Sequence, residues 1–457
     1  MGRRLREMPA SLKIRGDHRG NASAAVRAAR LPLQRGEPGC RSMRGAPDAS
    51  RDAAPQAGRG NVRIRKGIDD AVTTEFRPAN ARREARTMMN RERLQRAQER
   101  MRQHNIDAYL VLTHDDYLYF FGEARFQPRA IIPAAGSPIL VIFKGEEPEV
   151  RERLGADDVR IFGSVAHMMK DVVGVMRELA QGKSGLTVGV QMGFFTPAFL
   201  LDLFQRNNPQ VKVVDIAPVM DELRMVKERE EVERIRRAGE LAAVGMRAAI
   251  KTLSPGVTER EVAAEAEYAM RKAGGDGTAT PVYVNSGVRS CWLHGTASGK
   301  VIRDGELVVI DLVPVFQGYC ANLCRTVVAG TGTDPQSRML STYEAARQAV
   351  LQAMRPKATM RELDVVAKAV FDKAGYGEFY VMGISHGIGL AFEEIPAPTI
   401  KPAEAKVAVH EGMVLTVGHS VLSIPGIGGV RLEDTYHVSP TGPVSLTRFP
   451  VGLTVEI

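Results

Sequence analysis

Residues 307–330 read LVVIDLVPVFQGYCANLCRTVVAG. Two β-branched, apolar runs flank Phe316-Gln317-Gly318, whose composition suits a turn. A hairpin turning at Phe316-Gln317 sets Asp311 directly opposite Asn322, with Cβ atoms about 5 Å apart. Side-chain alternation puts Cys320 and Cys324 on the same face. A carboxylate and an amide flanked by thiols in an apolar hairpin cost free energy unless something binds there. The plainer reading, one buried Asp satisfied by local backbone donors, stands beside it on this stretch alone.

Outward from the hairpin, helical periodicity dominates. Upstream, KEREEVERIRRAGELAAVGMRAAIKTL begins near Val226 and stops at Pro255-Gly256. TEREVAAEAEYAMRKAGG follows, with Thr258 and Glu261 in capping-box spacing. TPVYVNSG reads as a strand. Downstream, helices are expected over 335–354 and 360–374, then strands in EGMVLTVGHSVLSI and GVRLEDTYHVS. Helices flanking a mostly antiparallel sheet make residues 226–457 an α+β unit.

Residues 89–225 alternate helix and strand in a smaller α/β unit. DAYLVLT and YLYFFG are expected as strand-like runs, AIIPA and PILVIF as a meander, and VRIF, LTVGVQ and VKVVDI as strands between amphipathic helices. Residues 1–88 differ. They are rich in Arg, Gly, Ala and Pro without sustained apolar periodicity, and are expected to be disordered. No secretory apolar core follows the basic start. The segment reads as a basic leader or as a start placed too early, with Met88 or Met89 the initiator.

The chain has 457 residues and a formal charge of +9. Residues 1–88 hold 20 Lys and Arg against 9 Asp and Glu; the remainder holds 42 against 44. The charge therefore sits in the leader, and the body gives no case for a nucleic-acid partner. No apolar run reaches the roughly 18 residues of a membrane span. Four cysteines in so long a chain do not make a secreted disulfide framework, so a reducing cytoplasm is the expected compartment.

Beyond Asp311 and Asn322, four polar points stand out: His294 in CWLHG, His386 in GISHGIGL, His419 in LTVGHSVL, and Glu433 in GVRLEDTYHV with Arg431 two residues before it. Together they supply the carboxylate and imidazole donors of a hydrolytic metal site, although spacing alone does not bring them together. GISHG also fits the G-x-S-x-G nucleophile elbow, with Asp434 and His437 downstream. That motif needs a strand, a sharp turn and a helix, and IGLAFEEIPAP has no helical period.

Read in order, CWLHG, DLVPVFQGYCANLCRT, SHGIGL, EGMVLTVGH and GVRLEDTY resemble the pita-bread metallopeptidases, the family of methionine aminopeptidase, prolidase, Xaa-Pro aminopeptidase and creatinase. Residues 89–225 are similar to the N-terminal domain of the prolidase and creatinase branches. The resemblance implies a pita-bread catalytic domain over 226–457 and a site for divalent metals (manganese, cobalt, zinc or iron) built from two Asp, one His and two Glu. Asp311 matches the first Asp, His386 the His and Glu433 the last, bridging Glu. His294 matches a substrate-contacting histidine, and Arg431 an Arg beside the last Glu.

Three positions depart from the pattern. Asn322 stands where the second Asp belongs, Gly418 where the first Glu belongs, and Glu393 in place of a second histidine. His419 directly follows Gly418. It either turns in as a replacement ligand, leaving Asp311, Asn322, His386, His419 and Glu433 around one metal, or points away as strand alternation suggests. The resemblance implies an Xaa-Pro peptidase-like hydrolase of a peptide or small amide, a homodimer, with His294 and Arg431 in catalytic roles; Glu393, which departs from the pattern, is expected as a catalytic carboxylate paired with a histidine acid or base. A metal-independent creatinase-like C–N hydrolase and a non-catalytic binding protein are the competing readings.

Overall fold

A computed structural model describes residues 89–125, 129–193 and 196–454. All of them lie within one unit spanning 80–457. The expectation for residues 1–88 falls outside the described residues.

The first half is built on one mixed sheet. Helix α1 (Arg91–Gln103) leads into β1 (Ala108–Val111), α2 (His114–Phe121), β2 (Ala130–Pro133), β3 (Ile139–Phe143), α3 (Glu147–Leu154), β4 (Asp158–Phe162), α4 (Val165–Leu179), β5 (Leu186–Val190), α5 (Ala198–Asn207), β6 (Val211–Asp215) and α6 (Ala217–Met225). The strand order is β4-β3-β2-β1-β5-β6. β2 and β3 form the antiparallel pair expected of AIIPA and PILVIF, β1 extends it antiparallel to β2, and the outer pairs are parallel.

Two segments differ from their periodicity. YLYFFG, expected as a strand, lies in α2. Asp115 and Asp116 suit a helix first turn, Gly122 closes the helix in the left-handed region at φ 70°, and Tyr117 to Phe121 are all buried. Burial on every side erases the alternation that separates strand from helix, so aromatic β-propensity misleads here. Helix α6 has no counterpart in the sequence reading. Its Pro218 looks like a breaker but sits in the first turn, where proline is tolerated.

In the second half, α7 (Arg229–Thr252) and α8 (Glu259–Lys272) precede β7 (Gly277–Thr278), β8 (Tyr283–Ser286), β9 (Leu307–Leu312), β10 (Pro314–Phe316), β11 (Tyr319–Cys320) and β12 (Leu323–Val328). Thr258 and Glu261 form the expected capping box. Helices α9 (Asp334–Ala353) and α10 (Met360–Lys373) follow, then β13 (Val414–Val417), β14 (Leu422–Ile424), β15 (Gly428–Val430), β16 (Asp434–Ser439) and β17 (Gly442–Ser445). The strands form small antiparallel sheets, β11-β10-β7, β12-β9-β8, β13-β16-β17 and β14-β15. β9 and β12 are buried along their whole length. Among the described residues no helix is long and apolar enough to cross a membrane.

The central hairpin forms, in a different register. Phe316 pairs with Tyr319, leaving Gln317 and Gly318 as a two-residue loop with φ of 48° and 80°. Positive φ at both positions makes a type I′ turn, which matches strand twist. The turn is one residue later than expected, so the register moves by two. Asp311 faces Cys324, not Asn322. A shift of two keeps every side chain on its face, so Asn322 remains on Asp311's side as a diagonal neighbour.

Candidate metal centre

Three pieces of backbone bring the site together. β9 and the residue just before β12 supply Asp311 and Asn322. An irregular segment that hydrogen-bonds to β13 through Thr416 N and His386 O, at 2.8 Å, supplies His386 and, after doubling back, Glu393. The link between β15 and β16 supplies Arg431 and Glu433, and the latter is pinned to β12 by paired backbone bonds between Cys324 and Glu433. These groups enclose a cavity of about 10 Å³, room for about one water. His294 sits at its mouth with its side chain 45% exposed.

Asp311 has both oxygens engaged. Oδ2 accepts from Arg431 Nη1 at 2.8 Å and Oδ1 accepts from Asn322 Nδ2 at 2.5 Å. Arg431 Nη2 donates to Glu433 Oε2 at 2.5 Å and lies 3.3 Å from His419 Nδ1. A guanidinium only donates, so His419 Nδ1 is the lone-pair side of that ring. Its Nε2 faces Glu393 Oε1 at 3.6 Å, and His294 Nε2 lies 3.9 Å from the same oxygen. His386 Nδ1 is 2.8 Å from the Gly387 carbonyl, which places its proton there. His386 Nε2 and Glu433 Oε1 then face each other at 3.3 Å, both buried and with no other hydrogen-bond partner.

Burial pushes the Asp311 carboxyl up, against the pull of Arg431. Burial acts the same way on Glu433, but Arg431 and His386 outweigh it and hold that carboxyl well below the usual range. His419 is driven well below the ordinary imidazole value by burial, His386 and Arg431. His386 moves up, because Glu433 overcomes its desolvation. His294 moves down through burial and Arg431.

The orientation of His419 follows from one glycine. Gly418 has φ of 119°, and a Cβ there would lie 1.6 Å from the Leu432 carbonyl oxygen. No side chain fits at 418, and the left-handed backbone breaks strand alternation, turning His419 into the cavity where it is 4% exposed. Among the described residues, two groups of three potential metal donors lie within ligand reach of one another: His386, His419 and Glu433, and His294, Glu393 and His419. Asp311 belongs to neither. Cys320 and Cys324 bond backbone carbonyls of Gly389 and Arg431, and burial raises both thiols.

The nucleophile-elbow pattern has no structural counterpart. Ser385 donates to the Thr416 carbonyl at 2.6 Å in a segment without a following helix, and Asp434 is held by Arg325 and Arg347. Sequence reasoning missed two features. Tyr283 lines the cavity with its ring 5.9 Å from that of His294. Arg224, between Asp116 at 2.9 Å and Glu394 at 2.5 Å, ties the first half to the segment bearing Glu393, and Lys227 adds a third contact to Glu394 at 2.7 Å. Neither shows a local signal, because the partners lie far apart in the chain.

Comparison with known proteins gives the family. Residues 233–440 match the model of metallopeptidase family M24, and residues 93–226 that of the creatinase/prolidase N-terminal domain. The chain is 30% identical over 364 residues to the Xaa-Pro dipeptidase of Pyrococcus furiosus, covering 78% of this chain and 98% of that one. The chain belongs to metallopeptidase family M24. The solved prolidase of Pyrococcus horikoshii OT3 superposes with a TM-score of 0.71 at 28% identity, over 79% of this chain and 100% of that chain. The X-Pro aminopeptidase of Thermotoga maritima gives 0.66 at 26% identity, over 78% and 98%. The pita-bread fold with a creatinase-type N-terminal domain is thereby shown. M24 membership makes the chain a peptidase and implies divalent metal ions.

The residues present keep part of the donor set such ions need. Asn322 is neutral, Gly418 admits no side chain, and Asp311 is engaged on both oxygens. His386 Nε2 and Glu433 Oε1, buried and 3.3 Å apart, are the pair best placed to hold such an ion.

Proposed function

We propose that the chain hydrolyses the Xaa-Pro bond of short peptides, the substrate class named for its M24 relatives. The observation that carries this is the facing of His386 Nε2 and Glu433 Oε1 at 3.3 Å in a buried cavity that opens at His294. An imidazole nitrogen and a carboxylate oxygen so placed share a cation, a proton on Nε2 or a metal ion that displaces it. A divalent ion (manganese, cobalt, zinc or iron) supplies Lewis acidity there, polarising the scissile carbonyl and making water a competent nucleophile at neutral pH.

The chain's own residues do the rest. Glu393, between His294 and His419, is placed to accept a proton from the attacking water and pass it to the leaving nitrogen. His294, at the mouth, donates a hydrogen bond to the substrate carbonyl oxygen. Arg431 fixes the Glu433 and Asp311 carboxylates, acting on position and not on substrate.

Cytoplasmic residence is supported by the described cysteines, Cys291, Cys320 and Cys324, all of which are free thiols. The assembly proposed is a homodimer, which light scattering checks directly. The test of function is turnover of Xaa-Pro dipeptides against Xaa-Ala dipeptides after loading with each of the four metals. Expected is a preference for proline, lost with chelator and restored by metal. Absence of turnover of any peptide with all four metals would sink the proposal.

A further inference from the structure

We infer that this M24 chain binds a single divalent ion through a ligand set of its own: His386 Nε2, His419 Nδ1 and Glu433 Oε1. The inference rests on the proposed metal-dependent function and specifies its site. Two donors about 2.0–2.2 Å from a tetrahedral ion stand roughly 3.3–3.6 Å apart. His386 Nε2 to Glu433 Oε1 measures 3.3 Å and His419 Nδ1 to Glu433 Oε1 3.8 Å, so the three donors are nearly pre-spaced.

The far side of each ring points the same way. Metal-binding imidazoles almost always hand their other N–H to a carboxylate or a backbone carbonyl, which fixes the tautomer. His386 does so through Nδ1 to the Gly387 carbonyl, and His419 turns Nε2 to Glu393. His386 Nε2 and His419 Nδ1 are thereby the free ring nitrogens, and both lie within ligand reach of Glu433. The charge fits as well. Asp311, Glu393 and Glu433 surround a single cation, Arg431, leaving two formal negative charges in excess. A divalent ion balances that excess, and a second ion would overshoot it.

Arg431 defines the limit of the site. Its guanidinium lies between Asp311 and Glu433 and also touches His419 Nδ1 at 3.3 Å. That last contact is the one a metal ion replaces. The Asp311 side, closed by Arg431 and by the Asn322 amide, offers no open donor.

The experiment uses the full chain, purified without added metal, dialysed against Mn²⁺, Co²⁺ or Zn²⁺ and counted by plasma mass spectrometry. One ion per chain is expected. His419→Gln weakens affinity by more than about 100-fold, beyond the range typical of outer-shell changes, and Glu433→Gln does the same. Glu393→Gln retains one ion per chain. Circular dichroism of each variant separates lost ligands from lost fold, and copper-loaded protein gives a second readout. Its electron paramagnetic resonance shows nitrogen coupling from two imidazoles in the parent and one in His419→Gln.

Two ions per chain, unchanged affinity in folded His419→Gln, or loss of the ion in Glu393→Gln would each overturn the assignment. The last would move the ion to the His294 side. Failure here is separable from failure of the peptidase reading. Proline-peptide turnover without this stoichiometry removes the site and keeps the function. A His419-dependent ion without peptide turnover does the reverse.

Discussion

The molecule buries two ionic clusters that solve the same physical problem in opposite ways. Around Arg224, the Asp116 and Glu394 carboxylates and Lys227 close on one another. Among the described residues none of their side-chain polar atoms is left buried without a partner. Around Arg431, Asp311 and Glu433 are equally buried, yet Glu433 Oε1, His386 Nε2 and Arg431 Nε remain unpartnered. An unsatisfied buried polar group costs about 1–3 kcal/mol. The second cluster carries such groups, and the first carries none among the described residues. The difference separates a clamp, whose purpose ends with holding two halves together, from a site held open for a ligand.

The comparison can be broken at its closed end first. Arg224→Ala leaves Asp116 and Glu394 buried with too little positive charge, and should lower stability by about 3–5 kcal/mol, read by urea denaturation. A loss under about 1 kcal/mol would mean that Arg224 does not clamp. At the open end, Glu433→Gln should reduce peptide turnover by more than about 100-fold, equivalent to about 2.7 kcal/mol. Its stability should fall by less than that of Arg224→Ala, because Arg431 keeps Asp311 as a charged partner. A collapse in melting temperature with residual activity would reverse the roles assigned to the two clusters.

Gly418→Ala tests what keeps the second cluster open. The added carbon meets the Leu432 carbonyl, and the expected loss is about 2 kcal/mol, with metal affinity falling as His419 is displaced. Unchanged metal binding in this variant would remove the backbone argument.

The smallest effect belongs to an intermediate case. Asp221, paired with Lys401, has its carboxyl pushed up to about 6 by burial. A raised carboxylate contributes stability that is complete below its unfolded value and lost as pH rises through the folded one. Asp221→Asn should therefore match the parent near pH 4 and exceed it by about 1 kcal/mol at pH 7, with the Lys401 contact offsetting part of the gain. Thermal melts at the two pH values decide it, and a variant weaker at pH 7 would make Asp221 part of a closed cluster.

Much of the site was legible because alternation is robust to a register error of two. Asp311 and Asn322 share a face in either pairing. The register itself was not legible, because Gln317-Gly318 and Phe316-Gln317 are both acceptable turns until backbone φ is known. YLYFFG reads as a strand because its aromatics favour one, and burial on all sides leaves no periodicity to correct it. The direction of His419 depends on the φ of the residue before it, which sequence does not state. The Arg224 clamp joins residues more than a hundred positions apart, and nothing local announces it.

Gly418 has a consequence for how this centre can change. A carboxylate at 418 and an imidazole at 419 demand incompatible backbone paths, because a side chain at the first position requires the flip that withdraws the second. No single replacement leads from one arrangement to the other through a working intermediate. Asn322→Asp can be tried alone, but Gly418→Glu cannot: its α-carbon would need to move before its carboxylate could reach anything. Redesign of the centre therefore has to exchange residues 416–420 as a block, treating five positions as one unit of variation.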